Sequence, residues 1–357
     1  MFLIMVPSLL YSQGNLLKGS VTDKKNGQPV PLVTVYINGT SLGTISDMEG
    51  NFMLRNIPLP CELIFSHVSY NLKRIELPDT TQWKEMSINL EERVIELKEA
   101  TVIHDQLKTD YLRRFKSWFL GIEYEKYGAD ILNDSVLIFN TLENEQFSVY
   151  ADEPIQVFLP STGYSINVDL VRFDLRYRSE IPGYHCSILG YYFFNPVAAA
   201  SRREQRSLER NRAQSYYNSS MHFCKSLYHN QLAENGYLLE RNCVSDSLQE
   251  RVPASVPDFI GSYGQDAYGN QRLELTRLAC KNFRITYNYN GRNRPVDLTY
   301  LDSNPSRIEW SGLTFLKDTI HIYPSGRIPE NAMLFSGSIG EKGVAFMLPE
   351  DYIPSMQ

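Results

Sequence analysis

The stretch from Gly19 to Leu90 constrains this chain most. Short strand-like runs are separated by turn residues about every ten positions, a spacing that argues for a small antiparallel β-sandwich. Val33, Val35 and Ile37 alternate with Thr34 and Tyr36, the period-two pattern of a half-buried strand. Asn26-Gly27 and Asn38-Gly39 supply positive φ for tight turns. Asp47 to Asn51 forms a third turn, after which Phe52 and Leu54 share a face. Met86, Ile88 and Leu90 alternate again as a closing strand, and Pro29 and Pro31 sit beside a strand start, where a missing N–H is tolerated.

These residues carry a family pattern. Gly19-Ser20-Val21-Thr22-Asp23 opens it, and Pro31-Leu32-Val33-Thr34-Val35 supplies its strand. Gly39-Thr40 and Gly43-Thr44 are its Gly-Thr repeats, and Asp47 to Phe52 is its Asp-x-x-Gly-x-Phe hairpin. The stretch resembles the carboxypeptidase-regulatory-like domain, a transthyretin-like, immunoglobulin-like sandwich. Ser69-Tyr70 stands where the family often has Gly-Tyr, and Ile95 to Val102 resembles its exit segment. In metallocarboxypeptidases this sandwich accompanies a zinc domain whose His-x-x-Glu pair presents two ligands to one metal. None of the six histidines (His67, His104, His185, His222, His229, His321) has Glu three residues on, so peptidase activity does not carry over. The same sandwich precedes the plug and barrel of some TonB-dependent transporters. About 255 residues follow Val102 here, too few for that plug and a large barrel.

Phe2 to Tyr11 is an uncharged, mostly apolar run followed by Ser12-Gln13-Gly14-Asn15. It reads as the h-region and cleavage zone of a secretory signal without a positive n-region, and it is too short to span a bilayer. No later segment is apolar enough for a transmembrane helix. The expectation is export, to the periplasm or in association with the outer membrane. The net charge of −6 is mild acidity, which names no partner and argues against whole-surface nucleic-acid binding. Five cysteines, Cys61, Cys186, Cys224, Cys243 and Cys280, show no Cys-x-x-Cys spacing, so buried free thiols are expected rather than a metal or redox site.

Beyond residue 103 the pattern changes. Tyr111, Leu112, Phe115, Trp118 and Phe119 recur at helical spacing over 109–120. Ser135–Leu142 and Gln146–Ala151 read as a hairpin, Ile155–Leu159 as a strand, and Tyr164–Arg178 as a long one. In the last, Ile166, Val168 and Leu170 hold one parity and Val171, Phe173, Leu175 and Tyr177 the other, which predicts a bulge near Leu170-Val171. Tyr184–Phe194 is a further strand. Helical character returns over 198–234, ending at Gly236, and the remainder is strand-like, with 337–343 as a flexible glycine-rich link. The expected organisation is a signal segment at 1–12, the sandwich at 13–103 and an α+β region of antiparallel sheet at 104–357. The fold class is mainly β with some α. The segments Tyr111–Phe115, Gly163–Ile166, Arg203–Arg212, Tyr217–Phe223, Gly236-Tyr237 and Leu348–Tyr352 resemble uncharacterised exported bacterial envelope proteins that follow such a sandwich.

Chemistry-bearing motifs are sparse. Ser336-Gly337-Ser338-Ile339-Gly340 lacks the first glycine of a Gly-x-Ser-x-Gly elbow, and that elbow needs a strand-to-helix turn in a parallel sheet. His222 and His229 are seven apart, about 10 Å along a helix, too far to share a metal. Neither a phosphate loop nor a dinucleotide fingerprint occurs. Asp169 with Asp174, and Asp152 with Glu153, read as solvated acids. No catalytic residue, metal ligand or cofactor is assigned. Arg202, Arg206 and Arg210 recur every four residues and form a stripe flanked by Arg203 and Arg212. It is either a solvated face or a site for an anionic partner: an envelope protein, a polysaccharide or another anionic surface, but not nucleic acid. The sequence therefore reads as a non-catalytic envelope protein binding a glycan, peptide or envelope partner. The alternative is a hydrolase with an unrecognised site beyond the sandwich.

Overall fold

The computed structural model describes residues 15–79, 85–93, 105–141, 145–179, 183–242, 252–253, 261–276, 281–290, 294–297, 307–329 and 332–354. The expected signal segment, Cys243 and Cys280 lie outside them. The chain divides into two compact units, Met1–Asn38 with Leu42–Ile95, and Gly39–Ser41 with Glu96–Gln357.

The first unit is a two-sheet sandwich. Its strands are β1 (Leu16–Asp23), β2 (Thr34–Ile37), β3 (Gly43–Ile45), β4 (Asn51–Arg55), β5 (Cys61–Ser66), β6 (Lys73–Leu77) and β7 (Met86–Leu90). They form sheets ordered β4-β1-β7 and β3-β2-β5-β6. Alternation buries Val21, Val33, Val35, Phe52, Leu54, Leu63, Phe65 and Ile88 between them, at roughly 1.5–3 kcal/mol per large side chain. One expectation is corrected: β7 runs parallel to β1, with Gly19 opposite Met86. The chain alternates between the sheets, so its last strand re-enters beside the first in the same direction. Asp23 explains the opening motif. Its carboxylate accepts from the Lys25 and Asn26 N–H groups and from Tyr70 Oη, so Tyr70 keeps a role although Ser69 replaces glycine. The Asn26 N–H bond leads the influences that lower the Asp23 pKa.

The second unit contains α1 (Asp105–Leu120), β8 (Asp130–Ile131), β9 (Leu137–Thr141), β10 (Phe147–Ala151), β11 (Ile155–Leu159), β12 (Tyr164–Arg178) and β13 (Gly183–Pro196). It continues with α2 (Arg202–Tyr216), α3 (Ser220–Tyr228), β14 (Tyr237–Arg241), β15 (Val252–Pro253), β16 (Gly261–Gln265) and β17 (Gln271–Leu275). Last come β18 (Asn282–Tyr289), β19 (Arg307–Phe315), β20 (Ile320–Ile322), β21 (Met333–Ser336) and α4 (Gly337–Gly340). Strand β12 organises the first sheet. It pairs with β11 through its first half, with β10 through its second, and with β13 along the other edge. The ladder to β13 shifts register between Leu170 and Arg172, where the parity change predicts a bulge. Val171 is left exposed, and Leu170 and Phe173 both stay buried. Helix α1 covers this sheet. Phe115 and Phe119 lie one turn apart on its buried face, and Phe115 meets Phe173 edge-on at 4.9 Å. Removing one such ring costs roughly 3–5 kcal/mol.

A second antiparallel sheet, β15-β14-β18-β19-β21, carries the other core of this unit with Phe223 and Leu227 of α3. Strands β16, β17 and β20 form a third sheet. The expected helical stretch 198–234 is two helices. Ser201 caps α2 by accepting from the Glu204 N–H, while Glu204 accepts from the Ala200 N–H. The break between α2 and α3 falls at Asn218, whose φ is 54, a conformation that asparagine tolerates better than most residues. Segment 337–343 is likewise no open link. It begins with α4 and leads to a largely enclosed Lys342.

Candidate functional site

The polar centre of the second unit is assembled from four places in the chain. On β19 the inward row starts polar and ends apolar: Glu309, Ser311, Leu313 and Phe315. Register sets Tyr287 of β18 opposite Glu309, and Tyr237 of β14 opposite Tyr287. The reversal between α2 and α3 brings Asn218 to the same place. Strand β21 then turns directly into α4, which presents Ser338.

These groups hold one another. Asn218 Nδ2 donates to Glu309 Oε2 at 2.5 Å and to Ser338 Oγ at 2.9 Å. Ser338 Oγ lies 3.2 Å from Ser311 Oγ, which also accepts from the Ile339 N–H at 3.0 Å. Lys342 Nζ donates to the Tyr217 and Asn218 carbonyls at 2.9 and 3.0 Å. Burial lowers the Lys342 pKa to about 8, with Glu309 opposing that shift. His222 is buried beneath Asn218. Its Nδ1 receives the Asn218 N–H at 3.3 Å and lies 2.9 Å from Tyr237 Oη. A backbone N–H can only donate, so Nδ1 is the acceptor and the neutral ring carries its proton on Nε2. Burial pulls the His222 pKa down to about 3, which keeps the ring neutral at physiological pH.

A cleft of about 400 Å³ opens over this network, lined in part by Tyr217, Asn218, Tyr289, Glu309, Ser338 and Lys342. That volume is within the ordinary range for small-ligand sites. Tyr287 and Asn218 both line it, and each is 2 % exposed. Tyr287 Oη and Asn218 Oδ1 have no hydrogen-bond partner. Leaving a buried polar atom unpaired costs about 1–3 kcal/mol, so two at one cleft mark it out.

The arginines singled out by spacing lie elsewhere. Arg202, Arg206 and Arg210 are all exposed on α2. Arg212 does not flank them as surface charge. It donates to the Thr162 and Gly163 carbonyls and stacks over Tyr164 at 4.3 Å, so it ties α2 to the turn before β12. Glu209 accepts from Gln205. Asp174, read as a solvated acid, is paired with Arg172 and Arg176. Cys61 and Cys224 are buried thiols outside any disulfide, and Cys186 is a half-buried one. Among the described residues no three metal-ligating side chains cluster, and no helix is long and apolar enough to cross a membrane. Sequence reading weighed Ser338 only as part of an elbow and passed over Asn218, Glu309 and Lys342. The available signal was the parity of β19, which aims Glu309 and Ser311 into the unit.

Comparison with known proteins bears on the sandwich, whose strand order and Asp23–Tyr70 link are described above. Residues 17–102 match the CarboxypepD_reg-like domain. A TonB-dependent receptor P3 from Formosa agariphila is 30 % identical over 106 residues, covering 29 % of this chain and 10 % of the receptor. The chain thus spans about a tenth of the length of that curated relative. Two solved structures show distant likeness. One is a protein described as membrane-associated and of unknown function from Bacteroides fragilis NCTC 9343, with 11 % identity, 52 % of this chain and 84 % of that chain covered, and a TM-score of 0.18. The other is a 9R-lipoxygenase from Cyanothece PCC8801, with 8 % identity, 62 % and 47 % coverage, and a TM-score of 0.17. Scores this low carry no argument, so the CarboxypepD_reg-like domain is the part of the chain with an assigned relationship.

Proposed function

We propose that this is a non-catalytic protein of the cell envelope, exported to the periplasm or the outer membrane, whose second unit binds a hydroxyl-rich ligand, a glycan, in the cleft beside Lys342. The envelope setting draws support from the CarboxypepD_reg-like domain and from a relative that is a TonB-dependent receptor. One observation carries the binding reading: Tyr287 Oη and Asn218 Oδ1 are unpartnered at the same cleft. One atom can donate or accept and the other accepts, which is the complement of sugar hydroxyls. Tyr217 and Tyr289 on the same wall offer aromatic surface to a sugar ring.

The hydrolase alternative has one feature in its favour. Ser338 follows a strand-to-helix turn, four residues before a lysine whose pKa is lowered to about 8. The hydrogen bonds favour binding instead. A lysine base must hydrogen-bond to the serine hydroxyl it activates, whereas the partners of Lys342 Nζ are the Tyr217 and Asn218 carbonyls. Ser338 Oγ is itself engaged by Asn218 and Ser311.

A panel of neutral oligosaccharides tests the reading by calorimetry. We expect at least one micromolar ligand whose affinity falls about tenfold in Tyr287→Phe, the loss of roughly one hydrogen bond. The absence of any bound sugar would overturn it. So would fluorophosphonate labelling or ester turnover that Ser338→Ala abolishes.

A further inference from the structure

Lys342 and Glu309 carry opposite charges on the wall of the cleft, and they do not meet. Both line it, yet Glu309 acts on the ammonium only through its field, with no hydrogen bond between the two. Asn218 stands between them. Its main-chain carbonyl accepts from Lys342 Nζ at 3.0 Å, and its Nδ2 donates to Glu309 Oε2 at 2.5 Å. Each charge keeps unused capacity. An ammonium has three N–H groups, and the Tyr217 and Asn218 carbonyls take two from Lys342. A carboxylate offers about four acceptor sites. Asn218 takes one from Glu309, and Tyr289, which also meets Arg307, takes another.

The other charges on the cleft wall are solvated. Glu341 is exposed, and Glu123, also exposed, pairs with Lys126 at 2.9 Å. Lys342 is largely enclosed, and among the described residues no carboxylate touches it. A desolvated ammonium without a contacting counter-ion is unfavourable. A neutral ligand would leave both charges as they are. A ligand with a single charge would satisfy one of them and be repelled by the other. A ligand that carries an ammonium and a carboxylate side by side complements both.

Resting on the binding role proposed above for this cleft, we infer that it selects a zwitterion, an amino sugar that also bears a carboxylate, with the ammonium at Glu309 and the carboxylate at Lys342. Tyr287 Oη and Asn218 Oδ1 then serve the ring hydroxyls.

A matched series titrated calorimetrically into the full chain at neutral pH separates the outcomes. Muramic acid carries both groups, N-acetylmuramic acid the carboxylate alone, glucosamine the ammonium alone and glucose neither. Alanine carries both without a sugar. Muramic acid should bind tighter than each of the other sugars by about tenfold or more. Lys342→Met should bring it down to the level of glucosamine, and Glu309→Gln to that of N-acetylmuramic acid. Tyr287→Phe should weaken muramic acid while keeping its preference over N-acetylmuramic acid. The series on the unaltered protein decides by itself should either charge variant fold poorly. Equal affinity for glucose and muramic acid would overturn this inference and leave the glycan reading standing, as would a preference for either singly charged sugar. Alanine binding as tightly as muramic acid would uphold the paired-charge recognition and overturn the glycan reading. Binding of none of the series would overturn both.

Discussion

The two units treat buried polar groups differently. In the sandwich they are satisfied locally and hold turns in place. Ser46 is 3 % exposed; its Oγ accepts from the Val33 N–H and donates to the Val30 carbonyl, both at 2.9 Å. Asp23 does the same for the turn after β1. In the second unit the polar groups converge from distant parts of the chain, and all four unpartnered buried side-chain atoms among the described residues belong to it. A polar group in the first unit stabilises the fold. At the cleft of the second it is held at some cost to the fold, which is the observation behind the binding role proposed for it.

Four measurements press on that contrast. The largest effect belongs to His222. Its folded pKa of about 3 lies below the ordinary 6.5, so the unfolded chain takes up the proton first. Its contribution is complete above pH 6.5 and is lost as pH falls towards 3, on the order of 4–5 kcal/mol in all. Urea unfolding at stepped pH should show this slope, and His222→Gln should flatten it; an unchanged slope would assign the acid sensitivity elsewhere. Next is Ser46→Ala, which leaves the Val33 N–H buried and unpaired. It should cost about 1–3 kcal/mol, and a neutral result would break the claim that sandwich polar groups are structural.

Tyr287→Phe should go the other way. Removing a hydroxyl that has no partner should leave stability unchanged or raise it by up to about 1 kcal/mol. A loss above that would mean that the hydroxyl is bonded within the fold. The smallest effect is expected on α2. Replacing Arg202, Arg206 and Arg210 by Gln should alter stability by no more than about 0.5 kcal/mol. If the stripe holds an anionic partner, retention on anionic vesicles should fall at low salt and be unaffected at high salt, where screening already removes the attraction. Unchanged retention at low salt would leave the stripe a solvated face.

Legibility followed the same division. Alternation and turn residues act over a few positions, so the sandwich strands, the β9–β10 hairpin and the slip in β12 could be read directly. The parallel entry of β7 beside β1 could not, because pairing direction depends on which sheet the chain has crossed to. Helix α2 was legible, but the break after it at Asn218 was not, since asparagine in a left-handed conformation leaves no periodic trace. The cleft was the least legible feature. Asn218 bonds to Ser338 across 120 positions, and Lys342 bonds to Tyr217 across 125. Their meeting is a product of tertiary structure alone.

The slip at Val171 has a consequence for how the length of this chain can change over evolutionary time. Strand β12 keeps Ile166, Val168, Leu170, Phe173 and Leu175 buried only because one surplus residue is absorbed at the bulge. Deleting Val171 would leave every one of those side chains on the core side and would cost only the local bend. Deleting a residue farther along, at Asp174, would carry Leu175 to the solvent side. Within its longest strand the protein therefore has one place, the Val171-Arg172 bulge, where a single-residue deletion keeps the buried parity, and it coincides with the phase break in the sequence.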